Sequence, residues 1–176
     1  MLLTLLITLL VSGCLSPLDK IMVSDQQTQR ALEIAKQQQG SPYVWGGRGP
    51  DIFDCSGLIT YSYKRALGKE RIFKVGNYET TDATMNDLHR YNVILIPPRA
   101  MQAGDIVFIT RDENRITHGG LFNRWIKKYE EFEVLHASSY SNPGQGIESG
   151  VRLENWSIKG LNRGQWFAGA GRLKLY

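Results

Sequence analysis

The chain has 176 residues, of which 42% are hydrophobic and 22% are charged. This length corresponds to one domain of about 100 to 200 residues and excludes a large multidomain enzyme. The 21 Lys and Arg residues outnumber the 17 Asp and Glu residues, giving a net charge of +4. They form no long basic run, so the composition does not favour nucleic acid as a partner.

The first segment of the chain has the pattern of an export signal. Residues 1–13 carry no charge and are mostly apolar, and the stretch is shorter than the roughly 20 residues that a membrane-spanning helix needs. Its end, LVSGC at residues 10–14, resembles the lipobox of bacterial lipoprotein precursors, in which the cysteine is acylated. We expect a signal peptide over residues 1–13, lipidation at Cys14 and a tether over residues 14–23. A buried apolar N-terminal helix is the alternative.

The two cysteines have different expected roles. A disulfide between Cys14 and Cys55 is the ordinary arrangement in an exported protein, whereas lipidation of Cys14 leaves Cys55 as the lone thiol of the folded domain. Because Leu15 rather than an acidic residue follows Cys14, a lipoprotein of a Gram-negative cell is expected on the outer membrane, facing the periplasm. A lone thiol in an exported protein is a candidate reactive group.

Helical patterns dominate the first half of the domain. A capping-box pattern begins at Ser24, and the apolar face behind it predicts a helix that ends at Gly40. A second helix is predicted from Cys55 to a stop at Gly68, so the cysteine lies at the start of a helix. A third, weaker helical pattern covers residues 80–91.

Strand patterns dominate the second half. Turn residues separate them, so the sheet is expected to be largely antiparallel. Residues 123–130 have a possible helical pattern, although this charged interval is also typical of an extended, solvated hairpin. The predicted fold class is α+β, with helices first and sheet second, in one domain over residues 24–176. Strands are predicted over residues 105–110, 118–122, 132–137, 150–153 and 165–176.

The histidines are the candidate partners of Cys55. A thiol has a pKa of about 8.5, so a nucleophilic cysteine needs nearby positive potential. A helix N-terminus and an imidazole can supply it by forming a thiolate–imidazolium pair. His118 and His136 lie in apolar strands, where a histidine needs a partner, whereas His89 lies among polar residues and is expected on the surface.

Five segments resemble a known enzyme family. The segment YVWGGRGPDIFDCSGL at residues 43–58 is similar to the nucleophile segment of NlpC-type cysteine peptidases, which are bacterial cell-wall enzymes with a papain-like core. AGDIVF at residues 103–108, THGGL at 117–121, LHAS at 135–138 and GVR at 150–152 follow in the order of the family. The resemblance implies a papain-like fold, in which the helix that begins with the nucleophile packs on a mostly antiparallel sheet.

The same resemblance implies a catalytic triad. It makes Cys55 the nucleophile, His118 the general base and His136 the residue that orients the base. The implied reaction is hydrolysis of a peptide bond in a peptidoglycan stem peptide or cross-link through a thioester, without a cofactor. Taken with the lipobox-like residues 10–14, the sequence predicts a lipid-anchored protein of the bacterial cell envelope, which we expect to be a monomer.

Further positions near the nucleophile have expected roles. The resemblance places Tyr43 at the oxyanion site, and Asp54 and Ser56 beside the substrate. Asp54 is also positioned to cap the helix, and its charge is expected to raise the pKa of the thiol. The chain departs from the family at Gly119, where a bulky aliphatic residue is usual, so packing beside the base is expected to differ.

Other functions fit the same residues. An inactive protein of this fold would bind peptidoglycan or act as a scaffold, and a papain-like amidase or acyltransferase would use the same chemistry on another bond. A metal site built from Cys55, His118 and His136 is not supported by any recognised ligand spacing. The arginines considered as contacts for a substrate carboxylate, or else as solvated charges, are Arg48, Arg99 and Arg124.

Overall fold

The structure is a computed structural model that describes residues 21–176, so the predicted signal peptide and the lipidation site at Cys14 lie outside the described residues. Its helices are α1 (Asp25–Lys36), α2 (Cys55–Leu67) and the single turn α3 (Met85–Asp87), which continues as a π-helical turn (Leu88–Asn92). Short 3₁₀ turns cover Pro98–Ala100 and Pro143–Gln145. The strands are β1 (Phe73–Val75), β2 (Tyr78–Thr80), β3 (Val93–Ile96), β4 (Ile106–Thr110), β5 (His118–Lys127), β6 (Glu131–Ser138), β7 (Gly150–Ser157) and β8 (Trp166–Leu173).

Six of the strands form one antiparallel sheet in the order β3-β8-β4-β5-β6-β7, and β1 and β2 form a separate hairpin. The apolar side chains of α1 and α2 pack on one face of the large sheet, against Ile106, Leu121 and Leu135. A second apolar cluster, which includes Phe122 and Phe132, covers the opposite face. The α+β class with helices on an antiparallel sheet is therefore confirmed.

The two principal helices begin where the sequence predicts. Ser24 accepts a hydrogen bond from the backbone N–H of Gln27, and the Gln27 side chain accepts one from the backbone of Ser24. The helix ends at Lys36 rather than at Gly40, because the last residues form tight turns instead. α2 ends at Leu67 and is capped by Gly68, whose φ of 63° is the left-handed conformation that favours glycine.

Two predicted helical segments differ in the structure. The pattern over residues 80–91 yields a helix only from Met85, because the hydroxyl of Thr84 caps it and Thr80 still belongs to β2. Residues 123–130 are not helical: β5 continues to Lys127, and cross-strand pairs such as Trp125 with Phe132 hold it extended. The extended hairpin that was the other interpretation is the one observed.

The folded domain begins before residue 24. Val23 is buried in the core, and its backbone N–H donates to the carbonyl of Leu173 at 3.0 Å. Leu175 donates to Ile21 in the same way, so residues 21–23 belong to the domain rather than to the predicted tether. None of the helices within residues 21–176 is long and apolar enough to cross a membrane.

His89 is not a solvated surface residue as predicted. It is half-buried, and its ring packs edge-on against Phe108 with 4.9 Å between ring centroids. Burial lowers its pKa. The polar neighbours in the sequence gave no indication of this contact, because Phe108 lies on a strand that follows later in the chain.

Candidate active site

Asp54 fixes the start of the helix that carries the cysteine. As the N-cap residue of α2, its Oδ1 accepts hydrogen bonds from the backbone N–H of Gly57 at 2.7 Å and from the hydroxyl of Ser56 at 3.0 Å. Such a cap contributes about 1 kcal/mol to stability. It also holds Cys55 in the first turn, where unpaired backbone N–H groups point out of the helix.

The other carboxylate oxygen of Asp54 holds the preceding loop, residues 41–53. Oδ2 accepts a hydrogen bond from the backbone of Gly46 at 3.0 Å and one from Arg48 Nη1 at 2.6 Å. Arg48 Nε donates in turn to Asp82 at 2.7 Å. With four donors on one carboxylate, the contacts of Asp54 are those of a structural cap and a loop anchor.

Three adjacent strands carry a chain of polar side chains. His118 is the first residue of β5, and its Nε2 lies 2.8 Å from Nδ1 of His136 on β6. Nε2 of His136 lies 3.0 Å from a carboxylate oxygen of Glu154 on β7. His136 is fully buried. The His136 side chain fits because its neighbour at position 120 is a glycine: a Cβ there would lie only 2.8 Å from the Cβ of His136.

Cys55 and His118 line one groove, with a volume of about 720 Å³, which we call the Cys55 groove. Tyr43 lines it as well, whereas His136 lies behind His118 and is not part of the wall. Asp54 and Ser56 border a smaller neighbouring cavity of about 240 Å³ instead. The remaining residues of the Cys55 groove are Trp45, Arg111, Arg115, Thr117, Ser138, Ser139, Tyr140, Trp156, Arg163 and Gln165.

Both the cysteine and the histidine that face the groove have pKa shifts in the direction that favours the neutral form. Burial raises the pKa of the Cys55 thiol to about 12, and the charge of Asp54 acts in the same direction, as expected from the sequence. Burial lowers the pKa of His118 well below its usual value, and His136 lowers it further. Burial thus opposes the thiolate–imidazolium pair expected from the sequence and acts against the potential of the helix end.

Tyr43 supplies a hydroxyl to the wall of the groove. Its pKa is raised to about 12, first by burial and then by the electrostatic effect of the neighbouring Cys55 and Asp54. The phenol thus keeps its proton at neutral pH and can donate a hydrogen bond. Together with the backbone N–H of Cys55, it is available to an oxygen that gains negative charge.

The sequence prediction missed Glu154. Besides the bond with His136, this carboxylate accepts a hydrogen bond from Arg152 at 3.0 Å and another from Arg163. The predicted strand over residues 150–153 ended before Glu154, whereas β7 continues to Ser157. Alternation along that strand was the available signal, since it puts Arg152 and Glu154 on the same face.

The departure from the family pattern at Gly119 has a packing reason. A Cβ at this position would lie 2.3 Å from Cε of Met85 and 2.3 Å from the backbone oxygen of Val107. The side chain of Met85, from α3, thus occupies the space that a bulky residue at position 119 would need. The expectation of altered packing beside His118 agrees with these contacts.

The fold has a papain-like arrangement, in which a cysteine at a helix start shares a groove with an imidazole from an antiparallel sheet. Residues 40–157 match the NlpC/P60 family, and the chain belongs to it. Among solved structures, it is similar to NlpC1 from Trichomonas vaginalis, with a TM-score of 0.59 at 22% identity, over 88% of this chain and 46% of that one. An NLP/P60-family lipoprotein-like structure from Staphylococcus aureus gives a TM-score of 0.55 at 22% identity, over 88% and 43% of the two chains.

Two relatives from Escherichia coli K12 are similar in sequence. The probable endopeptidase YafL is 29% identical over 151 residues, which cover 83% of this chain and 50% of that protein. The murein DD-endopeptidase MepH is 36% identical over 115 residues, which cover 63% of this chain and 38% of MepH. The chain thus spans half or less of the length of these relatives.

Proposed function

We propose that the chain is a cysteine endopeptidase that hydrolyses peptide bonds in peptidoglycan stem peptides or cross-links. The observation that carries this proposal is the shared groove of Cys55 and His118, with His136 bonded to the far side of the His118 ring at 2.8 Å. The family membership and the names of the relatives, endopeptidases among them, support it.

The proposed reaction begins from the neutral pair. His118 removes the thiol proton as Cys55 attacks the peptide carbonyl, and the backbone N–H of Cys55 and the hydroxyl of Tyr43 stabilise the oxyanion. His118 then protonates the leaving amine, and a thioester forms. Water hydrolyses the thioester with His118 again acting as the base, and no cofactor takes part.

The charge of the groove supports a peptide that bears carboxylates. Its described lining residues include three arginines and no Asp or Glu. Arg163 is engaged with Glu154, which leaves Arg111 and Arg115, both exposed, to face the substrate. Arg48 and Arg124 are less suited to this role, since they pair with Asp54 and Glu133.

The test is digestion of purified peptidoglycan, followed by mass spectrometry of the released muropeptides. Wild-type protein is expected to release peptide fragments whose masses identify the cleaved bond, and Cys55→Ala and His118→Ala are expected to lose about 10⁴-fold or more of the rate. Arg30→Gln, an exposed change on α1, is the matched control. Release at the wild-type rate by Cys55→Ala would refute the enzyme proposal and favour a peptidoglycan-binding or scaffolding protein.

The location proposed for the enzyme is the cell envelope, with a lipid on Cys14. The apolar residues 1–13 and the lipobox-like LVSGC support this part of the proposal. Radiolabelled palmitate is expected to enter the wild-type chain but not Cys14→Ser, and membrane fractionation is expected to place the labelled protein in the outer membrane of a Gram-negative host. Label in Cys14→Ser would contradict the assigned position, and a soluble wild-type protein would contradict the anchor.

A further inference from the structure

Glu154 completes a continuous path of hydrogen bonds that starts at the Cys55 groove. Its Oε2 lies 3.0 Å from Nε2 of His136, and Nδ1 of His136 lies 2.8 Å from Nε2 of His118. The three side chains come from β7, β6 and β5, which are neighbours in the sheet. A rigid sheet thus holds all three groups in place.

The contacts that start at Glu154 constrain where the protons of both histidines can lie. Burial alone would raise the pKa of Glu154, but hydrogen bonds and charges from His136 and Arg163 lower it to about 2. A carboxylate only accepts hydrogen bonds, so Nε2 of His136 carries the proton of that neutral ring and Nδ1 accepts. Nε2 of His118 must then donate, and its Nδ1 stays unprotonated.

We propose that Glu154 is a positioning residue for the base, which fixes the tautomers of His136 and His118 so that His118 presents an unprotonated Nδ1 to Cys55. This inference rests on the proposed cysteine peptidase function. As the thiol proton moves to His118, the imidazolium forms next to His136, and the carboxylate stabilises its charge through that ring. A neutral histidine alone would stabilise the imidazolium less than a carboxylate does.

Other charged groups around the pair hold Glu154 in place. Arg152, beside it on β7, donates at 3.0 Å. Arg163, from the loop before β8, donates to the other oxygen and lies 4.2 Å from the centroid of the Tyr140 ring. The backbone of Arg163 has a φ of 50°, a conformation that L residues rarely adopt and that persists only where contacts require it. Both arginines lower the pKa of the histidines, and Glu154 raises it.

The experiment uses the full chain and three variants of one residue. Glu154→Ala removes the acceptor and the charge, Glu154→Gln keeps an acceptor for His136 without the charge, and Glu154→Asp keeps the charge on a shorter side chain. The matched control is Glu133→Gln, because Glu133 also pairs with an arginine on this sheet and its side chain is 13% exposed, against 15% for Glu154. Nitrogen-15 NMR of the histidine rings reports the tautomers, and kcat/KM for peptidoglycan peptides is measured against pH.

The wild-type spectrum is expected to show His118 with its proton on Nε2, and Glu154→Ala is expected to show a mixture of tautomers. kcat/KM should fall about 10- to 100-fold in Glu154→Ala, by analogy with residues that orient metal-binding histidines, and Glu154→Asp should recover part of it. In Glu154→Gln the acid limb of the kcat/KM profile should move to lower pH, since loss of the carboxylate charge lowers the pKa of His118. Glu133→Gln should match the wild type in each measurement.

Two results overturn the inference. One is a His118 tautomer in Glu154→Ala that is identical to the wild type. The other is an unshifted acid limb in Glu154→Gln, which keeps the side-chain shape and remains informative even where Glu154→Ala does not fold. If the wild type hydrolyses no peptidoglycan while the ring signals change as expected, the tautomer assignment stands and the proposed peptidase function fails.

Discussion

Gly57 and Gly47 pack backbone against backbone at the start of α2. A Cβ on Gly57 would lie 1.9 Å from the carbonyl oxygen of Gly47, and that oxygen also accepts a hydrogen bond from the backbone of Asp54 at 3.0 Å. The 41–53 loop is therefore seated directly on the first helical turn. This contact determines where the loop lies relative to Cys55.

Gly57→Ala is expected to displace the loop and to destabilise the protein. Over-packing of this kind typically costs about 1 to 3 kcal/mol, and here the clash is with backbone atoms that have little freedom to move. Urea unfolding measures the loss. Gly144→Ala is the matched control, because the nearest atom to a Cβ there is 3.5 Å away. Equal stability of the two variants would contradict the assigned contact.

Asp54→Asn is expected to make the Cys55 thiol more acidic. Burial is the largest cause of the raised pKa of Cys55, and the charge of Asp54 is the second. Removing that charge therefore lowers the pKa of the thiol. Asparagine can still accept the hydrogen bond that caps α2. The rate of alkylation by iodoacetamide against pH reports the thiol pKa, and its midpoint should move to lower pH.

Arg48→Gln is expected to move the alkylation midpoint in the opposite direction, because the guanidinium lowers the pKa of Cys55. Asp82→Asn serves as the control, since Asp82 binds the same arginine at 2.7 Å and is not among the charges that shift the thiol pKa. A shift of the same sign in Asp54→Asn and Arg48→Gln would refute this account of the thiol.

Local patterns were sufficient for the elements that carry the site. The start of α2 could be predicted because the Asp54 cap and the apolar face lie within one stretch of sequence, and β5 and β6 because their apolar residues are consecutive. The hairpin of β1 and β2 was missed, since its strands have three residues each and too little pattern to detect. β3 was missed for a related reason: it has four residues and pairs with β8, about eighty residues later.

The effect of burial on the pKa values of the site could not be predicted from sequence. The helix start and the imidazole are visible in the sequence and favour an ionised Cys55, whereas the burial that raises its pKa arises from the packed tertiary structure. Glu154 meets His136 only through the register of β6 with β7, which places His136 opposite Arg152 and so brings Glu154 within reach. Strand prediction gives no register, so this contact required the structure.

Stability is expected to fall as the pH is lowered below about 6.5. Burial lowers the pKa of His118 and of His136 in the folded state, so below the ordinary histidine pKa the unfolded chain binds protons that the folded chain does not. Each such group lowers the free energy of unfolding by up to about 1.4 kcal/mol per pH unit. Urea titrations between about pH 7 and pH 5 measure the slope, and His118→Asn should reduce it by the share of one histidine. An unchanged slope in His118→Asn would contradict the lowered pKa of that ring.

The arginines of the β4–β5 loop are expected to determine affinity for acidic peptides. Arg111 and Arg115 line the Cys55 groove, and neither makes an ion pair with another residue in the described part of the chain. Exposed ion pairs contribute about 0.2 to 1 kcal/mol each, so the double variant Arg111→Glu, Arg115→Glu should raise KM about 2- to 30-fold and leave kcat nearly unchanged.

The control for this last prediction reverses two charges elsewhere, in Arg30→Glu, Arg99→Glu, because both residues are exposed and neither lines the groove. Comparing peptides that have free carboxyl groups with the same peptides after amidation separates the effect of charge from that of shape. The KM of the wild type should rise on amidation, whereas the KM of the Arg111→Glu, Arg115→Glu variant should not. Salt should weaken binding of the free acid to the wild type alone, since exposed charges are screened within about 10 Å at 0.1 M ionic strength. If the two double variants raise KM equally, the effect comes from net charge rather than from the groove, and the carboxylate contact is refuted.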